Sequence, residues 1–151
     1  MPGPDFTGCN WNLETLETTH ALGHQLLCLI PSDAVLLLSG PLGAGKTSLV
    51  QGLAEGLGIS EPITSPTFAL AQHYPQGTPR LVHLDLYRLE IAAAADELFL
   101  QEEEEARATG ALLAVEWPER LSLVLPEAWR LELTYRNDSA RHAKLFRPLK
   151  L

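Results

Sequence analysis

The stretch Gly40-Pro41-Leu42-Gly43-Ala44-Gly45-Lys46-Thr47 decides the fold of this chain. It matches G-x-x-x-x-G-K-[ST], the sequence pattern of the phosphate-binding P-loop. The apolar run 34–38 precedes it and has the length of a buried strand. After it, apolar residues recur at helical spacing from Leu49 to Leu57, and Gly58 is a typical helix stop. A strand, a glycine-rich loop and a helix in this order favour a phosphate site over a chance glycine-rich turn.

The residue types in this stretch fit the chemistry of a phosphate. Gly40, Gly43 and Gly45 lack a Cβ, so the backbone can curl tightly and turn its N–H groups inward. A helix that begins near Lys46 adds free N–H groups and the positive end of its dipole. The Lys46 ammonium is expected to reach the β and γ phosphates, and the Thr47 hydroxyl is expected to bind Mg²⁺.

Length and charge restrict the class of protein. With 151 residues and 46% hydrophobic residues, the chain is expected to form one globular domain with a substantial core. Lys and Arg number 11 against 19 Asp and Glu, which gives a net charge of −8. This balance argues against a broad nucleic-acid surface, so we expect no DNA partner.

The sequence also indicates a compartment. It contains no apolar run of membrane-spanning length and no basic leader followed by an apolar segment. Its two cysteines, Cys9 and Cys28, do not make a disulfide framework. We therefore expect a soluble, cytoplasmic protein that has no membrane partner.

Hydrophobic patterning predicts the order of the elements. Strands and helices alternate in the first half and strands dominate the end, which favours a single α/β domain of P-loop NTPase type, a three-layer sandwich around a central mixed β-sheet. Residues 1–12 are expected to be an N-terminal tail or edge strand, and residues 13–151 the P-loop domain. The predicted helices are Leu16–Ile30, the segment after the P-loop, and Ala92–Thr109; the predicted strands are 34–38, Phe68–Tyr74, Leu81–Tyr87 and Ala111–Glu116, with a final hairpin of 130–135 and 141–146 across 137–140.

Two acidic residues follow apolar strands where a metal site is expected. In α/β folds, ligands collect at the carboxyl ends of the strands. Glu116 ends the apolar run 112–115, as a Walker-B-type acid does, and Asp85 is flanked by apolar residues. A charge in such surroundings is costly unless it is paired or bound to metal. A salt bridge or a solvated strand end is the alternative for either residue, and the pattern favours the site role, more strongly for Glu116 than for Asp85.

With these residues assembled, the chain resembles the TsaE (YjeE) family, the small ATPases of bacterial tRNA threonylcarbamoyladenosine synthesis. Four blocks carry the resemblance: the P-loop 40–47, Thr64-Ser65-Pro66-Thr67-Phe68, His83-Leu84-Asp85-Leu86-Tyr87-Arg88-Leu89 and Val115-Glu116-Trp117-Pro118-Glu119-Arg120. The first block is shared by many P-loop proteins, and the last three together are specific to this family. The resemblance covers about Thr19 to about Arg141.

The resemblance implies a role for each matching residue. The catalytic residues would be Lys46, Asp85 and Glu116. Mg²⁺ would be bound by Thr47 and Glu116, with Asp85 acting on the metal or on the attacking water. Ser65 and Thr67 would belong to a switch loop, and Trp117 would pack beside the site and help fix Glu116. ATP would be bound by the loop and its surroundings, namely Thr19, Gly40, Leu42, Gly43, Ala44, Gly45, Lys46, Thr47 and Ser48.

The resemblance also implies partners and a task. Family members act with TsaD and TsaB, which together transfer the threonylcarbamoyl group to adenosine 37 of certain tRNAs, and the ATPase sustains turnover of that complex. Contact with tRNA would be indirect. Two other functions fit a P-loop: a small-molecule kinase, which usually needs an arginine-bearing lid, and a nucleotide-gated binding module with little catalysis. No arginine-rich segment follows the P-loop helix, which disfavours the kinase.

Two further patterns have simpler interpretations. The run Glu102–Glu105 is expected to be a solvated helix face, although it offers a surface for a basic partner. His20, His24 and Cys28 share one helix face at metal-ligand spacing, but a fourth ligand is not evident, so we interpret them as ordinary helix residues.

Overall fold

The computed structural model describes residues 9–64, 70–136 and 140–150. Helices and strands follow one another in the order that the sequence predicted. Within these ranges the helices are α1 (Leu16–Leu29), α2 (Lys46–Gly56) and α3 (Ala92–Thr109), and the strands are β1 (Asn10–Leu13), β2 (Val35–Ser39), β3 (Ala71–Tyr74), β4 (Leu81–Asp85), β5 (Leu112–Glu116), β6 (Trp129–Tyr135) and β7 (Arg141–Phe146).

The seven strands form one mixed sheet in the order β1-β7-β6-β2-β5-β4-β3. The neighbours β6, β2, β5 and β4 are parallel, and the outer strands β7, β1 and β3 join antiparallel. The mixed sheet confirms the fold predicted from the alternating pattern. Because β2, β5 and β4 run in parallel, their carboxyl ends meet at one edge, where the P-loop also begins.

Successive hydrophobic side chains of the strands point to opposite faces of the sheet, and each face packs in its own hydrophobic cluster. On β2, Leu36 and Leu38 join Leu26 of α1 and Leu53 of α2 in one cluster. Leu37, between them, faces the other cluster, which the side chains of α3 complete. The sheet is therefore covered on both faces, which confirms the three-layer sandwich.

Glycines let α1 and α2 approach closely. A Cβ on Gly23 would lie 2.6 Å from the backbone nitrogen of Leu53, and one on Gly52 would collide with the backbone of His20. The contact fixes α2 against α1 and so helps to fix the start of α2, where the P-loop ends. His20 Nε2 lies 3.2 Å from the side-chain oxygen of Gln51, and His24 Nε2 lies 2.7 Å from the Glu55 carboxylate, both on α2. Each imidazole thus has a protein partner, so a metal is not needed to explain its position.

The structure corrects two details of the prediction. The strand predicted over Leu81–Tyr87 ends at Asp85, because the Tyr87 N–H donates to the Asp85 carboxylate at 3.0 Å and turns the chain. The solvated interpretation of Glu102–Glu105 is wrong at Glu102, which is 7% exposed and accepts a hydrogen bond from His73 Nε2 at 2.6 Å.

Parts of two predicted elements lie outside the described residues. These are the first residues of the strand predicted from Phe68 and most of the hairpin turn, 137–139. In the described part of the chain, no helix combines the length and the apolar character that crossing a membrane requires.

Candidate functional site

The loop between β2 and α2 has the backbone shape that its glycines predict. Gly43 and Gly45 adopt positive φ angles of 79° and 103°, a region that glycine enters without a Cβ penalty. The Ala44 N–H donates to the Pro41 carbonyl at 3.1 Å and closes a turn within the loop. Helix α2 begins at Lys46 directly after Gly45, whose position caps the helix without a side-chain hydrogen bond, so the first N–H groups of the helix lie next to the loop without a capping side chain.

Lys46 lies folded back onto the loop. Its ammonium donates to the Gly40 carbonyl and lies 3.4 Å from the Pro41 carbonyl oxygen. Burial lowers the pKa of Lys46, while the carboxylates of Glu116, Glu119 and Asp85 oppose this shift. The side chain is 5% exposed, so its charge is held in a desolvated position beside three acidic groups.

Thr47 and Glu116 meet at the end of β5. The Thr47 hydroxyl donates to the Glu116 carboxylate at 3.2 Å to Oε2 and 3.4 Å to Oε1. Oε2 also accepts a hydrogen bond from His83 Nε2 at 2.6 Å. Glu116 is 3% exposed, so two donors compensate the burial of its charge.

Asp85 lies beside Glu116 across the sheet. The two residues are register partners of the parallel strands β4 and β5, and Asp85 is 7% exposed. The carboxylates of Asp85 and Glu116 and the Thr47 hydroxyl thus lie together at the carboxyl ends of β4 and β5. Hard oxygen donors of this kind are what Mg²⁺ prefers, so these residues fit a magnesium site.

Trp117 holds an unusual backbone conformation next to Glu116. Its φ of 60° and ψ of 50° place a bulky residue in the left-handed region, which is rare and strained without glycine. The ring lies 3.9 Å from Lys46 Nζ and 4.8 Å from the Tyr87 ring. Trp117 therefore contacts the P-loop lysine directly.

These groups surround one cavity of about 370 Å³. Of the residues predicted from the sequence, its lining includes Leu42, Gly43, Gly45, Lys46, Thr47, Ser48, Asp85, Glu116 and Trp117. Thr19 is buried beside the loop, where its methyl group would lie 3.8 Å from a Cβ on Gly45. Ala44 is buried within the loop, and Gly40 lies at its start against the backbone of β6. Ser65 and Thr67, predicted as a switch loop, lie outside the described residues.

Several residues around the site were not predicted as site residues. Leu70, Tyr87 and Arg88 line the cavity, and His83, Tyr135 and Arg141 contact the residues that form it. His83 lies in the same motif as Asp85 and on the same strand face, so its period-2 spacing was a usable signal. Tyr135 and Arg141 contact the loop from the β6–β7 hairpin, through bonds to the Leu42 and Gly43 carbonyls. They are separated from the loop by more than 90 residues, and no local pattern marks them.

Comparison with known proteins agrees with this geometry. A family described as threonylcarbamoyl adenosine biosynthesis protein TsaE matches residues 13–144. The tRNA threonylcarbamoyladenosine biosynthesis protein TsaE of a Synechocystis species is 47% identical over 112 residues, covering 72% of this chain and 69% of that protein. Its namesake from a Nostoc species is 42% identical over 132 residues, covering 85% and 80%. The crystal structure of Bacillus subtilis YdiB superposes with a TM-score of 0.71 at 28% identity, covering 92% of this chain and 84% of that one.

Proposed function

The chain belongs to the TsaE family of tRNA threonylcarbamoyladenosine biosynthesis proteins, and from this we propose that it binds ATP with Mg²⁺ and hydrolyses it as the auxiliary ATPase of that modification. The observation that carries the proposal is the contact between Thr47 and Glu116. It brings the last residue of the P-loop motif to the acid at the end of β5, 3.2 Å apart. In P-loop hydrolases a Ser or Thr of the loop and a carboxylate of the Walker-B acid, usually Asp, hold the Mg²⁺, and Glu116 would supply that carboxylate here.

The phosphates would be bound by the loop amides and by Lys46. The ammonium is now bonded to the Gly40 and Pro41 carbonyls, which lie on the loop itself. A phosphate oxygen is a stronger acceptor than a neutral carbonyl, because charge-assisted hydrogen bonds are roughly twice as strong. Lys46 would therefore exchange these carbonyls for the nucleotide, and the exchange needs only a side-chain movement.

The side chains of Thr47, Asp85 and Glu116 would bind the metal and position the attacking water. Mg²⁺, when bound, supplies charge neutralisation for the phosphoryl group. Thr47 and Glu116 would hold it, and the hydrogen bond from His83 would keep the Glu116 carboxylate turned toward Thr47. Asp85, the register neighbour of Glu116, would complete the metal shell or orient the water.

We propose TsaD and TsaB as the protein partners, with tRNA contacted only through their complex. The net charge of −8 supports indirect contact, since direct binding to RNA phosphates requires clustered positive charge. A role in tRNA modification supports a cytoplasmic location. The intrinsic ATPase would be weak alone and would rise with the partners.

The test is ATP hydrolysis by the purified chain, alone and with TsaB plus TsaD. We expect low activity alone, a rise with the partners, and loss in Lys46→Ala and Glu116→Ala. Glu104→Ala and Lys150→Ala change the same residue types at exposed positions outside the site and should behave as the parent chain.

Other outcomes would replace the proposal. Nucleotide binding without hydrolysis under any condition would favour a nucleotide-gated binding module. Absence of any effect of the partners, together with phosphoryl transfer to a small acceptor in a substrate screen, would favour a kinase.

A further inference from the structure

Two side chains of the β6–β7 hairpin hold the outer side of the P-loop. The Tyr135 hydroxyl, at the end of β6, donates to the Leu42 carbonyl at 2.8 Å. Arg141, at the start of β7, donates to the next carbonyl, that of Gly43, from Nε at 3.3 Å and from Nη2 at 3.2 Å. The guanidinium lies 4.5 Å from the centre of the Tyr135 ring, so the two side chains also stack on each other.

The position of these carbonyls fixes the direction of the amides. A trans peptide unit is planar, so the carbonyl of one residue and the N–H of the next point in opposite directions. Anchoring the Leu42 carbonyl to Tyr135 therefore turns the Gly43 N–H away from the hairpin. Anchoring the Gly43 carbonyl to Arg141 does the same for Ala44, whose N–H donates to the Pro41 carbonyl at 3.1 Å. Both peptides at the tip of the loop are thus fixed from outside.

Side-chain packing adds little support at the tip of the loop. The Leu42 side chain is 62% exposed, and Gly43 has no side chain. Gly43 also holds a φ of 79°, and a Cβ there would lie 2.7 Å from the Tyr135 hydroxyl. Tyr135 and Arg141 are therefore anchors of a segment that hydrophobic packing does not secure.

We propose that Tyr135 and Arg141 are positioning residues that keep the P-loop in its phosphate-binding shape before a nucleotide arrives. This inference rests on the proposed nucleotide function and goes beyond it by assigning two residues of the hairpin to nucleotide affinity. We call this pair of residues, Tyr135 and Arg141, the clamp. A preformed loop loses less conformational entropy on binding, so the clamp strengthens nucleotide binding. It acts on ground state and transition state alike, so it alters KM and leaves kcat unchanged.

The test measures binding of ADP with Mg²⁺ by calorimetry in Tyr135→Phe, Arg141→Lys and the double variant. Tyr135→Phe keeps the ring that Arg141 stacks on, and Arg141→Lys keeps the positive charge. We expect each to bind roughly three- to tenfold more weakly, the usual range for one lost hydrogen bond. The double variant should lose less than the product of the two effects, because both anchors act on one loop.

A matched control lies on the same hairpin. The Arg130 guanidinium lies 4.8 Å from the Phe146 ring, the same kind of stacking as at Tyr135 and Arg141, but it makes no contact with the P-loop among the described residues. Arg130→Lys should leave ADP affinity unchanged. Unfolding temperatures separate a general loss of stability from a specific loss of affinity.

The outcomes are distinct. If the parent chain binds no ADP, the proposed function fails. If the parent chain binds ADP and both variants match it, the clamp is overturned. If Arg141→Lys alone weakens binding while Tyr135→Phe does not, Arg141 contacts the nucleotide itself and the clamp is again overturned. Steady-state hydrolysis adds a last check, since a fall in kcat at unchanged KM contradicts a role in ground-state positioning.

Discussion

The imidazole Nε2 of His83 lies 2.6 Å from the carboxylate Oε2 of Glu116, and His83 is fully buried. Because a carboxylate oxygen accepts, Nε2 carries the proton in this bond. Nδ1 has no hydrogen-bond partner among the described residues. His83 therefore donates to the Glu116 carboxylate through Nε2. The same oxygen, Oε2, also accepts from the Thr47 hydroxyl at 3.2 Å, and Oε1 lies 3.4 Å from that hydroxyl, so His83 and Thr47 hold the Glu116 carboxylate between them.

We expect His83→Leu to impair hydrolysis by about 10-fold or more, because partners of metal-site ligands typically contribute 10–100-fold to metal affinity or activity. His83→Gln places an amide donor near the original Nε2 and should restore part of the loss. The measurement is kcat at saturating ATP together with the Mg²⁺ concentration that gives half-maximal nucleotide binding.

His73 offers the control for this prediction. Its Nε2 also lies 2.6 Å from a buried carboxylate, that of Glu102, but neither residue lines the cavity around Lys46 and Glu116. His73→Leu should lower stability without changing the Mg²⁺ dependence. Equal effects of the two histidine variants on Mg²⁺ dependence would contradict a specific role for His83.

Lys46→Met should strongly weaken nucleotide binding without destabilising the free protein. Hydrogen bonds to charged groups contribute about 1.5–3 kcal/mol, so the loss in affinity should be roughly 10- to 100-fold. Burial lowers the pKa of Lys46, which means that keeping its ammonium charged costs free energy in the folded state. The unfolding temperature without nucleotide should therefore stay the same or rise, while the stabilisation by ADP is largely lost. A variant that ADP still stabilises as it does the parent would refute this.

Much of the site was predictable because local rules govern it. The P-loop pattern, the apolar run before it and the strand-end positions of Asp85 and Glu116 follow from short stretches of sequence. The clamp by Tyr135 and Arg141 was not predictable, because it depends on how β6 and β7 pair beside β2. The burial of Glu102 was missed for the same reason: only the packing of α3 brings it to His73 on β3.

Trp117 should report nucleotide binding through its fluorescence. The Lys46 ammonium lies 3.9 Å from its ring, and we expect binding to draw that charge toward the phosphates. Loss of a nearby cation changes the field on the indole, so ADP should alter the emission of the parent chain. Trp117→Phe should abolish the change while retaining the aromatic contact, and Trp11→Phe should preserve it. A response that persists in Trp117→Phe would show that the signal arises elsewhere.

Gly23 and Gly56 should respond oppositely to alanine. A Cβ on Gly23 would meet the backbone of α2 at 2.6–2.8 Å, and a backbone cannot rotate aside. We expect Gly23→Ala to lower the free energy of unfolding by about 1–3 kcal/mol, the usual effect of overpacking. At Gly56 the close contact of a Cβ would be with the tip of the Leu27 side chain at 2.5 Å, which can change rotamer, while the nearest atoms of His24 would lie at ordinary contact distances of 3.4 and 3.6 Å. Alanine gains about 0.5–1 kcal/mol over glycine within a helix, so Gly56→Ala should be neutral or stabilising. Urea unfolding of both variants provides the comparison, and a tolerated Gly23→Ala would mean that α1 and α2 can separate without cost.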